Sequence, residues 1–176
     1  MILFSDYQIR RWMTMLDDIM SYQEGTFPFR GLVASLEGEC RIGNFDHELS
    51  EKMSTFCFNL EVMNAVELDG GNVSQQNKEN EVKDYYRFLR LELVNQMISA
   101  IDNHLQTLTA LPFSQLASYF MEALEFGRHL VNATEWELWI VTLDTARYDV
   151  SDTTNEREVT LAQIKQFLEA QTERLL

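Results

Sequence analysis

The sequence predicts an all-α fold, a compact bundle of about seven helices. Three observations carry that reading. Apolar residues recur at intervals of three and four over long stretches, the period of a helix with one buried face. Only two prolines and seven glycines interrupt 176 residues. β-Branched residues never alternate with polar ones for long enough to argue a strand. With 45% hydrophobic residues the chain can bury a core at this length, and one helical domain over residues 1–176 is expected.

The elements follow in order. Ile9, Trp12, Met13, Leu16, Ile19 and Met20 form the stripe of a first helix, with Ser5 and Gln8 spaced as a capping box and Gly25 as its stop. Pro28 suits the first turn of a short second helix bearing Phe29, Leu32, Val33 and Leu36, which stops near Gly43. A third helix over 46–68 turns Leu49, Met53, Phe56, Leu60 and Met63 inward, and Asp69-Gly70-Gly71 ends it. Residues 69–79 read as the longest polar connection. A long helix over 81–108 follows. Val82, Tyr86, Leu89, Leu93, Met97, Ile101, Leu105 and Leu108 make one face, and Phe88, Leu91, Val94 and Ile98 a second. Apolar on two sides, it belongs at the centre. Pro112 opens a fifth helix through Phe113, Leu116, Phe120 and Leu124, ending near Gly127. Thr134 and Glu137 are spaced as a capping box before a sixth helix with Trp136, Trp139, Ile140 and Leu143. A last helix carries Leu161, Ile164, Leu168 and Leu175.

An internal repeat is written into this pattern. Both prolines stand in Pro-Phe-x-x-Leu, at Pro28 and Pro112, 84 residues apart. The same offset pairs Ile9 with Leu93, Met13 with Met97 and Asp18 with Asp102; an offset of 83 pairs Leu60-Glu61 with Leu143-Asp144. The expectation is two pseudo-repeated three-helix units plus a C-terminal helix.

Charge narrows the function. Twenty-eight acidic residues against 14 basic ones give a formal net charge of −14. Such a field repels nucleic acid and anionic membrane and attracts basic partners. Residues 1–70 carry 12 acids and 5 bases, residues 111–176 carry 11 and 5, and the stretch between is near neutral. The N-terminus lacks a basic segment followed by an apolar run, and no stretch reaches the ~18 apolar residues of a membrane span, so a cytoplasmic protein is expected.

Catalytic and metal-binding patterns are missing at the level of sequence. The residues three before His47, His104 and His129 are Asn44, Ile101 and Phe126, which removes the Glu-x-x-His of di-iron bundles. Glu125 and His129, one helical turn apart, read as a surface ion pair. Cys40 and Cys57 lie in helix-patterned apolar stretches without a Cys-x-x-Cys and read as reduced core thiols. Lys83, Arg87 and Arg90 share a helix edge with Glu79 and Asp84 nearby, a salt-bridged face. No enzyme activity, metal or cofactor is expected.

Two clusters fit a grip on a basic protein, with a tyrosine for contact area and carboxylates for steering. One is Asp17, Asp18, Tyr22 and Glu24; the other is Asp144, Tyr148, Asp149 and Asp152. Phe27-Pro-Phe-Arg-Gly-Leu-Val-Ala-Ser-Leu-Glu37, followed by Phe56-Cys-Phe-Asn-Leu-Glu-Val-Met-Asn-Ala-Val-Glu-Leu68, resembles the immunity proteins of contact-dependent inhibition and related polymorphic toxin systems. The resemblance covers about the first 70 residues. It implies a cognate toxin, often a basic nuclease, bound stoichiometrically and occluded. The alternative is a helical adaptor that binds another protein through an exposed apolar patch supplied by residues 81–108. A third reading, an enzyme or small-ligand binder, requires an internal pocket with convergent polar groups.

Overall fold

Every regular element is helical in the computed structural model, which describes residues 4–106, 112–130, 132–148 and 154–175. Asp6–Gln23 is α1, Phe29–Ile42 α2, His47–Leu68 α3, Gln75–Gln106 α4, Phe113–Glu122 α5, Ala133–Tyr148 α6 and Thr154–Leu175 α7. A 3-10 helix, Leu124–His129, lies between α5 and α6.

Local chemistry sets the boundaries. Gly25 and Gly70 adopt φ of +77° and +80°, the left-handed conformation that closes α1 and α3 without a Cβ penalty. Asp46 caps α3 by accepting the Leu49 amide at 3.0 Å. Pro28 and Pro112 both stand at the N-cap with extended ψ, one residue before the helical first turn expected for Pro28. The polar connection after α3 is shorter than its composition suggests, because α4 already begins at Gln75. Thr134 lies inside α6 rather than capping it; Asn132 accepts the Trp136 amide at the helix start. Tyr85, not Tyr86, is the fully buried tyrosine of α4. Leu108 lies outside the described residues.

The chain clusters into two compact units, Tyr7–Leu89 and Arg90–Leu176, the latter with residues 4–6. The boundary falls inside α4, so each unit holds four helices. In the first, the Trp12 indole N–H donates to the Leu89 carbonyl at 2.8 Å and the ring meets Phe45 edge-on, centroids 5.1 Å apart. In the second, the Trp136 indole donates to the carbonyls of Ala123 and Leu124 at 3.3 and 3.1 Å. Gly127 permits that approach, since a Cβ there would stand 2.7 Å from Trp136 Cδ1.

The repeat extends to a fourth helix in each unit, beyond the three that the sequence pattern marked. At an offset of 84, buried Ile9, Trp12, Met13 and Leu16 of α1 match buried Leu93, Gln96, Met97 and Ala100 of α4. Leu32, Val33 and Leu36 of α2 match Leu116, Ala117 and Phe120 of α5. At 83, Met53, Cys57 and Leu60 of α3 match Trp136, Ile140 and Leu143 of α6. At 79, Val82, Tyr85 and Leu89 of α4 match Leu161, Ile164 and Leu168 of α7. One contact recurs in kind. Lys78 Nζ sits 5.1 Å from the centroid of the Phe29 ring, and Arg157 Cζ sits 4.9 Å from that of Phe113. Phe29 and Phe113 are the phenylalanines of the two Pro-Phe-x-x-Leu segments, and Lys78 and Arg157 are equivalent at the offset of 79. A cation from the fourth helix thus covers the start of the second helix in both units.

Candidate protein-binding surface

α3 is apolar on two sides. One side enters the core through Leu49, Met53, Cys57 and Leu60. The other begins after a polar N-terminal half, where Lys52 pairs with Glu48 at 2.8 Å and His47 with Glu51 at 3.7 Å. Beyond it Phe58, Val62 and Val66 follow at intervals of four, which places them in one row along the helix. They are 63%, 45% and 41% exposed, and Ala65 and Leu68 are exposed beside them. Single exposed apolar residues are ordinary, but a continuous row on one helix is a candidate contact surface. Carboxylates border it. Glu61 is half-buried and Asp69 exposed. Glu67 accepts from Lys78 at 2.7 Å and thereby ties the end of α3 to α4. An apolar centre with an acidic border is the anatomy of a protein interface.

α6 carries a second exposed apolar pair, Leu138 and Val141, 64% and 60% exposed. Val141 is the equivalent of Phe58 at the offset of 83. α4 contributes none of the large exposed apolar side chains among the described residues. The apolar faces of α4 are therefore buried or half-buried up to residue 106, and the exposed apolar row lies on α3.

The expected tyrosine and carboxylate clusters are placed unevenly. Asp17 and Asp18 are half-buried, and Asp18 accepts the Ser35 hydroxyl, which spends one of its oxygens on joining α1 to α2. Tyr22 accepts from Gln75 at 3.3 Å and its ring lies 5.8 Å from Phe29. It lines a cleft of about 560 Å³ with Phe27, Phe29, Val82, Lys78 and Lys83. Lys78 and Lys83 in that wall, against Glu79, make the cleft less acidic than the composition around Tyr22 suggested. Glu24 is exposed. Asp144 is half-buried on α6, Tyr148 ends that helix, and Asp149 and Asp152 lie outside the described residues.

The histidines depart from expectation. Glu125 and His129 lie in a 3-10 helix rather than one turn apart on an α-helix, and His129 is buried rather than at the surface. Glu125 pairs with Arg128 at 3.4 Å. His129 is 2% exposed, and burial, aided by Arg128 and Arg90, lowers its pKa to about 4. Among the described residues no cluster of three metal-ligating side chains occurs, and no helix is long and apolar enough to cross a membrane.

The α3 row was missed at the sequence level because apolar residues in 56–68 fall on both sides of the helix, so periodicity does not separate its inner face from its outer one. No family model, curated protein or solved structure matches the chain.

Proposed function

We propose that this chain is a stoichiometric binding protein for a basic partner, acting as an immunity protein that occludes a cognate toxin. The α3 row of Phe58, Val62 and Val66 with its acidic border is the observation that carries the reading. Apolar anchors supply affinity once desolvated. The net charge of −14 supplies attraction at a distance and speeds encounter with a basic surface. A nuclease must hold a polyanion, so its working face has the required charge. Inhibition by occlusion asks for no chemistry from the inhibitor.

The test is co-expression of this chain with the products of adjacent genes, followed by purification of any 1:1 complex and kinetics at rising salt. A basic partner whose association slows with salt, and whose toxicity the chain suppresses, supports the proposal. Phe58→Asp should abolish that suppression. Binding that ignores both salt and Phe58→Asp refutes it. An apolar partner bound through the same row, indifferent to salt, would favour the adaptor reading.

A further inference from the structure

Two thiols meet in the core of the first unit. Cys40 on α2 and Cys57 on α3 hold their sulfurs 3.2 Å apart. The Tyr85 hydroxyl from α4 stands 3.3 Å from Cys40 Sγ and 3.8 Å from Cys57 Sγ, and Met15 Sδ lies 3.9 Å from the same hydroxyl. Tyr85 is held in place by Phe56, stacked on it at 4.7 Å. Cys40 is half-buried and Cys57 buried.

Packing does not demand this arrangement. At the offsets of 84, 83 and 79 the residues answering Cys40, Cys57 and Tyr85 in the second unit are Leu124, Ile140 and Ile164, all aliphatic, with Leu124 in the 3-10 helix that follows α5. Ile140 and Ile164 are buried there without a polar atom. The thiols and the hydroxyl occur together in one unit, and their mutual contact sets them apart from scattered core cysteines.

We propose that Cys40 and Cys57 form an oxidisable dithiol site that closes to an intramolecular disulfide on reaction with hydrogen peroxide, with Cys40 as the attacking sulfur and Tyr85 as a positioning residue. Cys40 is the more accessible of the two. The hydrogen bond from Cys57, with that from Tyr85, pulls its thiol below the ordinary value against burial and the charges of Glu39 and Glu37. Cys57 is pushed up by its bond to Cys40 and by burial, with Glu61 adding to the rise, so it keeps its proton. Tyr85 is likewise raised by burial and remains a donor.

The Cys40 thiolate attacks one peroxide oxygen and the O–O bond breaks. Cys40 becomes a sulfenic acid, and the departing hydroxide takes a proton to leave as water. Cys57 sulfur then attacks Cys40 sulfur, gives up its proton, and displaces the sulfenic oxygen as a second water. Two thiols and one peroxide yield one disulfide and two waters; the sulfur pair loses two electrons and the peroxide gains them. The sulfurs must approach by about 1.2 Å to reach the bond length of ~2.05 Å.

The test treats the reduced, folded full chain with one equivalent of hydrogen peroxide. The expected result is loss of both titratable thiols, an intact mass lower by two hydrogens, and a Cys40–Cys57 linked peptide in a non-reducing digest, all reversed by dithiothreitol. Cys57→Ser should stop at a sulfenic acid on Cys40 that dimedone traps. Cys40→Ser should leave Cys57 unreactive. Tyr85→Phe, which keeps the ring stacked on Phe56, should slow the reaction several-fold and raise the pH at which it reaches half its maximal rate. Far-UV circular dichroism reports whether each variant is folded, and the wild-type result stands independently of them. Thiols that survive in the wild type, links between molecules, or oxygen added to Cys40 beside an intact Cys57 thiol each overturn the proposal.

Discussion

His129 gives the fold an acid-sensitive point whose size can be worked out. In an unfolded chain the imidazole titrates near 6.5; in the folded chain it is 2% exposed and titrates at about 4. Between those values the unfolded state binds the extra proton, so stability falls as pH falls. The loss begins as pH drops through 6.5 and is complete below 4. From those two values it amounts to about 2 kcal/mol at pH 5 and about 3 kcal/mol in the acid limit. Carboxylates titrate in the same range, so the effect is isolated by comparison with His129→Gln, which keeps polarity and cannot take up the proton. Urea unfolding of both proteins at pH 7 and pH 5 gives the four free energies. The wild type should lose about 2 kcal/mol more than the variant between those pH values. Parallel losses would refute the argument and show that His129 is protonated within the fold at no cost.

Other consequences are local. Gly127→Ala sets a Cβ 2.7 Å from Trp136 Cδ1, and overpacking of that kind should lower stability by about 1–3 kcal/mol in urea unfolding. A destabilisation well under that range would mean that the indole can shift freely. The Tyr119 hydroxyl is buried without a partner among the described residues, so Tyr119→Phe should leave stability unchanged or raise it by up to about 1 kcal/mol; a clear loss in thermal unfolding would show that the hydroxyl is bonded. Phe58 is 63% exposed, so Phe58→Asp should change stability by no more than ~0.5 kcal/mol, and a large loss of Tm would place that ring in the fold rather than on a contact surface. Oxidation of Cys40 with Cys57 closes a short loop between α2 and α3 and should raise stability by about 3 kcal/mol, read as a higher urea midpoint.

The helices were legible in the sequence because their apolar spacing is strong and their stops are chemically distinct. Asp46 and Gly70 end or begin α3 where a capping side chain and a positive φ are needed. The repeat was legible only where it is spelled in letters, at the two Pro-Phe-x-x-Leu segments. Its fourth helix was not, since Val82, Tyr85 and Leu89 correspond to Leu161, Ile164 and Leu168 through burial at a different offset, after connections of unequal length. The 3-10 helix escaped because the apolar residues of 113–126 run on at helical spacing past Ala123; the approach of Trp136 to Gly127, distant information, accompanies the change of pitch. The same limit applies to the sites. Tyr22 and its acids were legible as neighbours in sequence, but Lys78 and Lys83 reach that cleft from another helix. Cys40 and Cys57 were legible as apolar-face residues, and their meeting with Tyr85 depends on three helices that no local pattern joins.

The repeat also bears on where binding resides. Many core positions of the two units correspond at the offsets of 84, 83 and 79, and they are filled with different side chains. The exposed positions are under no packing demand, yet Phe58 and Val141, equivalent at the offset of 83, are both large, apolar and in water. Burying a side chain of that size is worth roughly 1.5–3 kcal/mol, and here the fold leaves that contribution unused in each unit. Packing gives no reason for the coincidence. A surface that contacts another protein does, because a row kept apolar on α3 gains its burial only on association. Of the two, α3 has the longer row and the aromatic anchor, and carboxylates flank it. It is where a basic partner would gain both contact area and charge pairing, and where a single aspartate at Phe58 should separate binding from folding.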